Sequence, residues 1–275
     1  MPRHAIFTLV LFTGLCAQPA SANDFAAAAN AFDEQRYQDA LPLLEAGDRA
    51  GDLRAAYLLC LMYEQGLGVE ADLHRSFNLC HKGADHGFPP ALNHTAAKYA
   101  LGLGTDQNLD RAITLYKKSA ELGDVTAMLA LGEIYGGSIE PDRFNPTTMM
   151  HYLRRAAETG QPEGLFMYGV IQLTLADSFP NQHWSDVKDG LKALTRAANM
   201  NFADAQFALG NIYFDGKFVQ ASAADALFWF TLAQRAGHGE AKERRYDLEL
   251  SANAGIRNAV TRRLRSWAPQ PVTPY

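Results

Sequence analysis

Small residues recur along this chain at intervals that constrain it to a stack of similar units. Gly51, Gly87, Gly123, Gly160 and Gly237 close related segments, with Asn201 in the same slot, at spacings of 36, 36, 37, 41 and 36 residues. Ala84, Ala120, Ala157 and Ala198 stand three positions before four of these six. A second column holds Cys60, Ala96, Gly132, Gly169 and Gly210; a third holds Tyr63, Tyr99, Tyr135 and Tyr213, with Gln172 as the odd member. Independent columns that share one spacing series mark a tandem repeat.

Each unit reads as two helices. Ala55, Leu59, Met62 and Tyr63 fall at helical steps and form an apolar stripe. Gly66-Leu67-Gly68 then supplies a turn, because glycine takes positive φ without penalty and closes the first helix. Asp72 suits the N-cap of the second helix, and Asn108, Asn145 (followed by Pro146), Asp186 and Ser222 fill that slot in later units. Cys80, Tyr116, Leu153, Leu194 and Phe230 form a column of mostly large residues on the second helices. They face the small column on the first, so Gly132 with Leu153 and Gly210 with Phe230 are pairs that should touch. One such hairpin cannot bury its own apolar face, so successive hairpins stack into an all-α superhelix.

Residues 1–22 differ in kind. Arg3 precedes an apolar run, Ala5 to Leu15, and Ala20-Ser21-Ala22 is a small-x-small cleavage site. That pattern is a secretory signal too short to span a bilayer, with cleavage near Ala22 and a mature chain from Asn23. Cys16 as a lipidated N-terminus is disfavoured by the bulky Leu15 before it. The expected location is periplasmic or secreted, with no membrane segment after cleavage. At 48% apolar and 20% charged the chain is not disordered, and a net charge of −5 gives no footprint for nucleic acid.

Segments such as Ala55–Gly87 and Ala203–Gly237 resemble Sel-one-like repeats (SLR), longer cousins of the tetratricopeptide repeat (TPR). The resemblance implies a right-handed superhelical solenoid with five repeats at about 54–88, 89–124, 125–160, 161–202 and 203–239. It weakens in the fourth, where Gly-x-Gly is missing and Leu175–Trp184 lengthens the turn. Residues 23–53 look like a TPR-like opening hairpin, and 240–267 like capping helices, the second starting at Ser251. Residues 268–275, with three prolines, are expected to be a disordered tail.

Cys60 and Cys80 occupy the small and large slots of one unit. They are either a disulfide or two buried thiols, and an oxidising compartment favours the bridge. No nucleophile elbow, zinc-binding helix, Cys-x-x-Cys or phosphate loop is present, so no catalytic, cofactor or metal site is expected. His74, His81, His86 and His94 read as solvated surface groups, and the pairs Asp33-Glu34 and Glu133 with Asp142 as solvated charge. Arg257, Arg262, Arg263 and Arg265 either bind an acidic partner or anionic polymer or simply suit the end of a terminal helix electrostatically, and the second reading is favoured.

In the resembled families stacked first helices line a concave face that binds protein or peptide. Projecting the period places Arg54, Leu58, Leu61 and Gln65 on that stripe, with His94, Glu133, Met167 and Asn211 in matching slots. The apolar members serve equally as core between repeats. Phe179 and Trp184, on the long turn, are further candidates. The resemblance implies a non-enzymatic scaffold or adaptor in the bacterial cell envelope. Its alternatives are binding or hydrolysis of cell-wall material (peptidoglycan or β-lactams), or periplasmic regulation of a membrane sensor or polysaccharide pathway.

Overall fold

The computed structural model describes residues 22–179 and 186–273. Among the described residues the regular structure is helical, fourteen α-helices and one short 3-10 turn (Pro141–Arg143), with no strand. Residues 1–21, on which the expected secretory signal falls, lie outside them. The chain divides into two compact units, the first ending at Gln107 and the second starting at Asn108.

The first unit contains α1 (Ala22–Asp33), α2 (Tyr37–Arg49), α3 (Leu53–Gln65), α4 (Leu73–Asp85) and α5 (Pro89–Leu101), each packed on the next. Its first helices surround Ala28, Ala31, Ala40, Leu44, Leu59 and Met62. The second unit contains α6 (Leu109–Glu121), α7 (Val125–Tyr135), α8 (Pro146–Glu158), α9 (Pro162–Ser178), α10 (Val187–Asn199), α11 (Ala203–Asp215), α12 (Ala223–Arg235), α13 (Ala241–Ser251) and α14 (Ala254–Ser266). Leu153, Tyr168, Leu194, Leu209, Phe228 and Phe230 form its continuous core.

The caps sit where the repeat places them. Side chains of Asp72, Asn108, Asn145, Asp186 and Ser222 accept the N–H of the residue three further on, satisfying donors that a helix start leaves free. The recurring glycine column is the left-handed residue after each second helix: φ is +87° at Gly51, +73° at Gly87 and +67° at Asn201. Asparagine is among the few non-glycine residues that visit this region readily, which explains the one exception in the column. The small column is enforced by contact. A Cβ on Gly132 would lie 2.6 Å from Leu153 Cδ2, and one on Gly210 2.5 Å from the Phe230 ring. In the first full repeat the corresponding pair, Cys60 and Cys80, is disulfide-bonded with Cα atoms 5.5 Å apart, and both residues are fully buried.

Neighbouring turns are tied to the preceding hairpin. Gln38 Nε2 donates to Gly68 O at 2.7 Å, and His74, one repeat later, places Nδ1 2.9 Å from Gly104 O, so this nitrogen carries the proton. Asp110 holds the next position and accepts from Arg143 at 2.8 Å.

The fourth repeat departs by a defined substitution. In the first, third and fifth repeats the N–H of the N-cap residue donates to the carbonyl of the tyrosine column: Asp72 to Tyr63 and Asn145 to Tyr135 at 2.8 Å, Ser222 to Tyr213 at 2.9 Å. Helix α9 runs on to 17 residues, against 13 in α3 and α11, so its own carbonyl at that slot stays in the helix. Gln172 replaces the tyrosine, and its Oε1 takes the Asp186 N–H at 2.8 Å. Its Nε2 donates to Tyr168 Oη at 2.8 Å, and Tyr168 donates to Asp189 at 2.5 Å. Burial, reinforced by the Asp189 contact, pushes the Tyr168 hydroxyl up to about 12. Gln172→Leu should leave the Asp186 N–H unpaired and cost about 2 kcal/mol. Urea unfolding and faster exchange of the Asp186 amide would register it; an unchanged midpoint would remove this role.

The last helix begins later than Ser251. Asn253 caps α14 by accepting the Ile256 N–H, whereas Ser251 Oγ turns back to Leu248 O and closes α13. After α14 the chain has no regular structure through Thr273, and the Gln270 N–H donates to Asn199 O at 2.8 Å.

Candidate interaction surfaces

In the first unit the predicted stripe on α3 runs from charged to apolar to polar. Asp52 caps α3, accepting the Arg54 N–H at 2.9 Å, and the Arg54 guanidinium returns to the same carboxylate at 2.6 Å. That side-chain hydrogen bond holds the Asp52 carboxyl below its usual range, against the opposing pull of burial. The guanidinium also lies 4.1 Å from the Phe25 ring centre. Leu58 and Leu61 are half-buried, Leu58 packing against the unit's core, and Gln65 is exposed.

His94 on α5 is half-buried, its Nδ1 3.1 Å from Tyr57 Oη and the two rings edge to face. His81 likewise packs edge-on to Phe77 and Tyr99 and sits 3.0 Å from Asp85. His94 thus packs against Tyr57 of α3, whereas His81 lies between Phe77 of its own helix and Tyr99 of α5 with about a third of its side chain still open to solvent. No group of three or more His, Cys, Asp or Glu able to hold a metal occurs among the described residues.

In the second unit Glu133 on α7 is exposed, Asn211 on α11 is half-exposed, and Met167 on α9 packs against the core. Phe179 ends α9 with 45% of its surface exposed. Trp184 lies outside the described residues.

The first unit also holds a feature absent from the sequence reading, an open groove of about 1160 Å³. The turn after α3, the first two turns of α4 and the turn after α5 form its walls. Leu73, Phe77 and Val69 supply apolar surface, and Glu70, Asp72 and Asp106 supply carboxylates. Among the described residues no lysine or arginine lines it. The signal for it, acids just after two Gly-x-Gly turns one repeat apart, is in the sequence, but only folding brings those turns together.

Paired helices with repeating small-to-large contacts define a helical-repeat protein. The Sel1 repeat family matches residues 53–88, 89–124, 125–160 and 203–238, more than half of the chain, and the chain belongs to that family. The unmatched stretch between the third and fourth matches holds α9 and its Gln172 network. Comparison with curated proteins gives no match. Among solved structures, a Sel1 repeat protein from Oxalobacter formigenes is 20% identical, with a TM-score of 0.69, covering 92% of this chain and 100% of its own. Immunity protein Pa5087 from Pseudomonas aeruginosa is 16% identical, with a TM-score of 0.50, covering 80% of this chain and 84% of its own. Both share the fold. It is one that suits a protein-interaction scaffold, typically without catalysis. No helix among the described residues is long and apolar enough to cross a membrane.

Proposed function

We propose that this protein is an exported scaffold or adaptor that binds other proteins in the bacterial cell envelope and performs no catalysis. The observation that carries the export half is the buried Cys60–Cys80 bond, since such crosslinks persist in oxidising compartments. The secretory pattern of residues 1–22 supports it independently. The repeat architecture carries the scaffold half: first helices of stacked hairpins present Arg54, Leu58, Leu61, Gln65 and His94 in the first unit and Glu133, Met167 and Asn211 in the second, with Phe179, and Trp184 from the sequence, as further candidates.

Crosslinking in intact envelope with tagged mature protein tests this reading. A parallel sample carries Arg54→Glu, His94→Glu and Asn211→Arg, with helical content checked by circular dichroism. The expected result is one protein partner enriched by the native chain and lost with the variant. Recovery of muropeptide or polysaccharide, with no protein enriched, would overturn the scaffold reading in favour of cell-wall binding.

A further inference from the structure

We propose that the groove beside α4 takes an extended, cationic peptide segment: its apolar side chain on Leu73 and Phe77, its lysine or arginine side chains against Glu70 and Asp106. This inference rests on the scaffold reading and adds the chemistry of the occupant, at a face separate from the α3 stripe.

The groove's size is the first reason. At about 1160 Å³ and open to solvent, it exceeds the ordinary range of small-molecule cavities, roughly 300–1000 Å³, and suits a length of chain. Its floor is the second. Leu73 opens α4 with 40% of its surface exposed, and Phe77, one turn on, is half-buried beside it. Contiguous apolar surface left open to water gains from being covered.

Charge decides what covers it. Glu70 and Asp106 are exposed and make no ion pair or hydrogen bond within the described structure. Asp72 caps α4 through one oxygen, accepting the Arg75 N–H at 2.9 Å. The Arg75 guanidinium does not line the groove: it is engaged with Glu45 at 3.6 Å and stacks 4.1 Å from the ring centre of Tyr63, at the groove's edge. Three carboxylates with no lining cation repel an acidic segment and attract a basic one. The walls are also fixed in advance. His74 pins the second turn through Gly104 O, and a Cβ on Gly104 would fall 2.0 Å from Leu73 O, so that turn sits directly on the start of α4. A preformed groove binds at lower ordering cost than one that must close.

The test uses the full mature chain and a fluorescein-labelled heptapeptide alternating lysine with leucine and phenylalanine, compared with its glutamate-for-lysine counterpart by fluorescence anisotropy. The lysine peptide is expected to bind saturably and at least tenfold more tightly than the glutamate peptide. Glu70→Gln with Asp106→Asn should weaken binding about fivefold, the size expected for two exposed charge pairs, with helical content unchanged. Equal affinity of both peptides, no saturation, or no effect of the double variant would each overturn the proposal. The Arg54, His94 and Asn211 variant should keep peptide binding. Loss of groove binding with partner capture intact therefore overturns the groove alone, and the converse overturns the stripe alone.

Discussion

Glu64→Ala is expected to lower the stability of the first unit by about 3 kcal/mol, whereas Lys98→Met should change it by no more than about 1 kcal/mol. The asymmetry follows from where the two charges sit. Lys98 on α5 is an almost fully buried ammonium, 2% exposed as a side chain, and its Nζ donates to Glu64 Oε2 at 2.8 Å; Glu64 on α3 keeps 27% of its side chain in water. Removing the carboxylate strands a cation in the core. Removing the cation leaves a carboxylate that can turn to solvent, and methionine fills the same space without a charge to desolvate. Urea unfolding of both single variants and the double variant measures the difference. If Glu64→Ala were neutral, or if Lys98→Met cost as much as Glu64→Ala, the pair would not be behaving as a buried ion pair.

Reduction of the Cys60–Cys80 bond carries the other large effect. The crosslink joins residues separated by 20 in sequence. Releasing it should cost about 3 kcal/mol on the chain-entropy model. A second variant separates crosslink from packing. Cys60→Ala with Cys80→Leu restores a small-to-large pair of the kind seen at Gly132 and Leu153, and should recover packing but not the constraint. Its stability should therefore fall near that of the reduced protein. A Cys60→Ala, Cys80→Ala variant, with a cavity at the larger slot, should fall lower. Full recovery by the alanine–leucine pair would show that these residues act through packing and not through their bond.

Much of this architecture is legible in the sequence because the repeat presents each local rule several times. Five N-caps are readable as Asp, Asn or Ser at one register, and each performs the expected capping contact. The touching pairs follow from columns of contrasting size, and the disulfide replaces such a pair. What resisted reading depends on contacts that cross repeats or break their pattern. Gln172 reads as an anomaly in a tyrosine column until the longer α9 shows why a side-chain carbonyl must stand in for a backbone one. Ser251 and Asn253 are both good N-cap residues; which one starts α14 depends on where α13 runs out. The proposed stripe is only partly separable from core, since Leu58 and Met167 pack inward while Arg54 and Glu133 stay exposed. The groove stayed hidden because its acids are unremarkable singly and converge only when two turns come together.

The most direct test of an exported scaffold is the state of its thiols where the protein resides. Cells expressing the full chain would be fractionated without reductant, the protein alkylated, and its intact mass and N-terminus determined. The expected result is a chain starting at Asn23, recovered from the periplasm or medium, with Cys60 and Cys80 both unalkylated until reduced. A full-length chain in the cytoplasm with both thiols alkylated would contradict it.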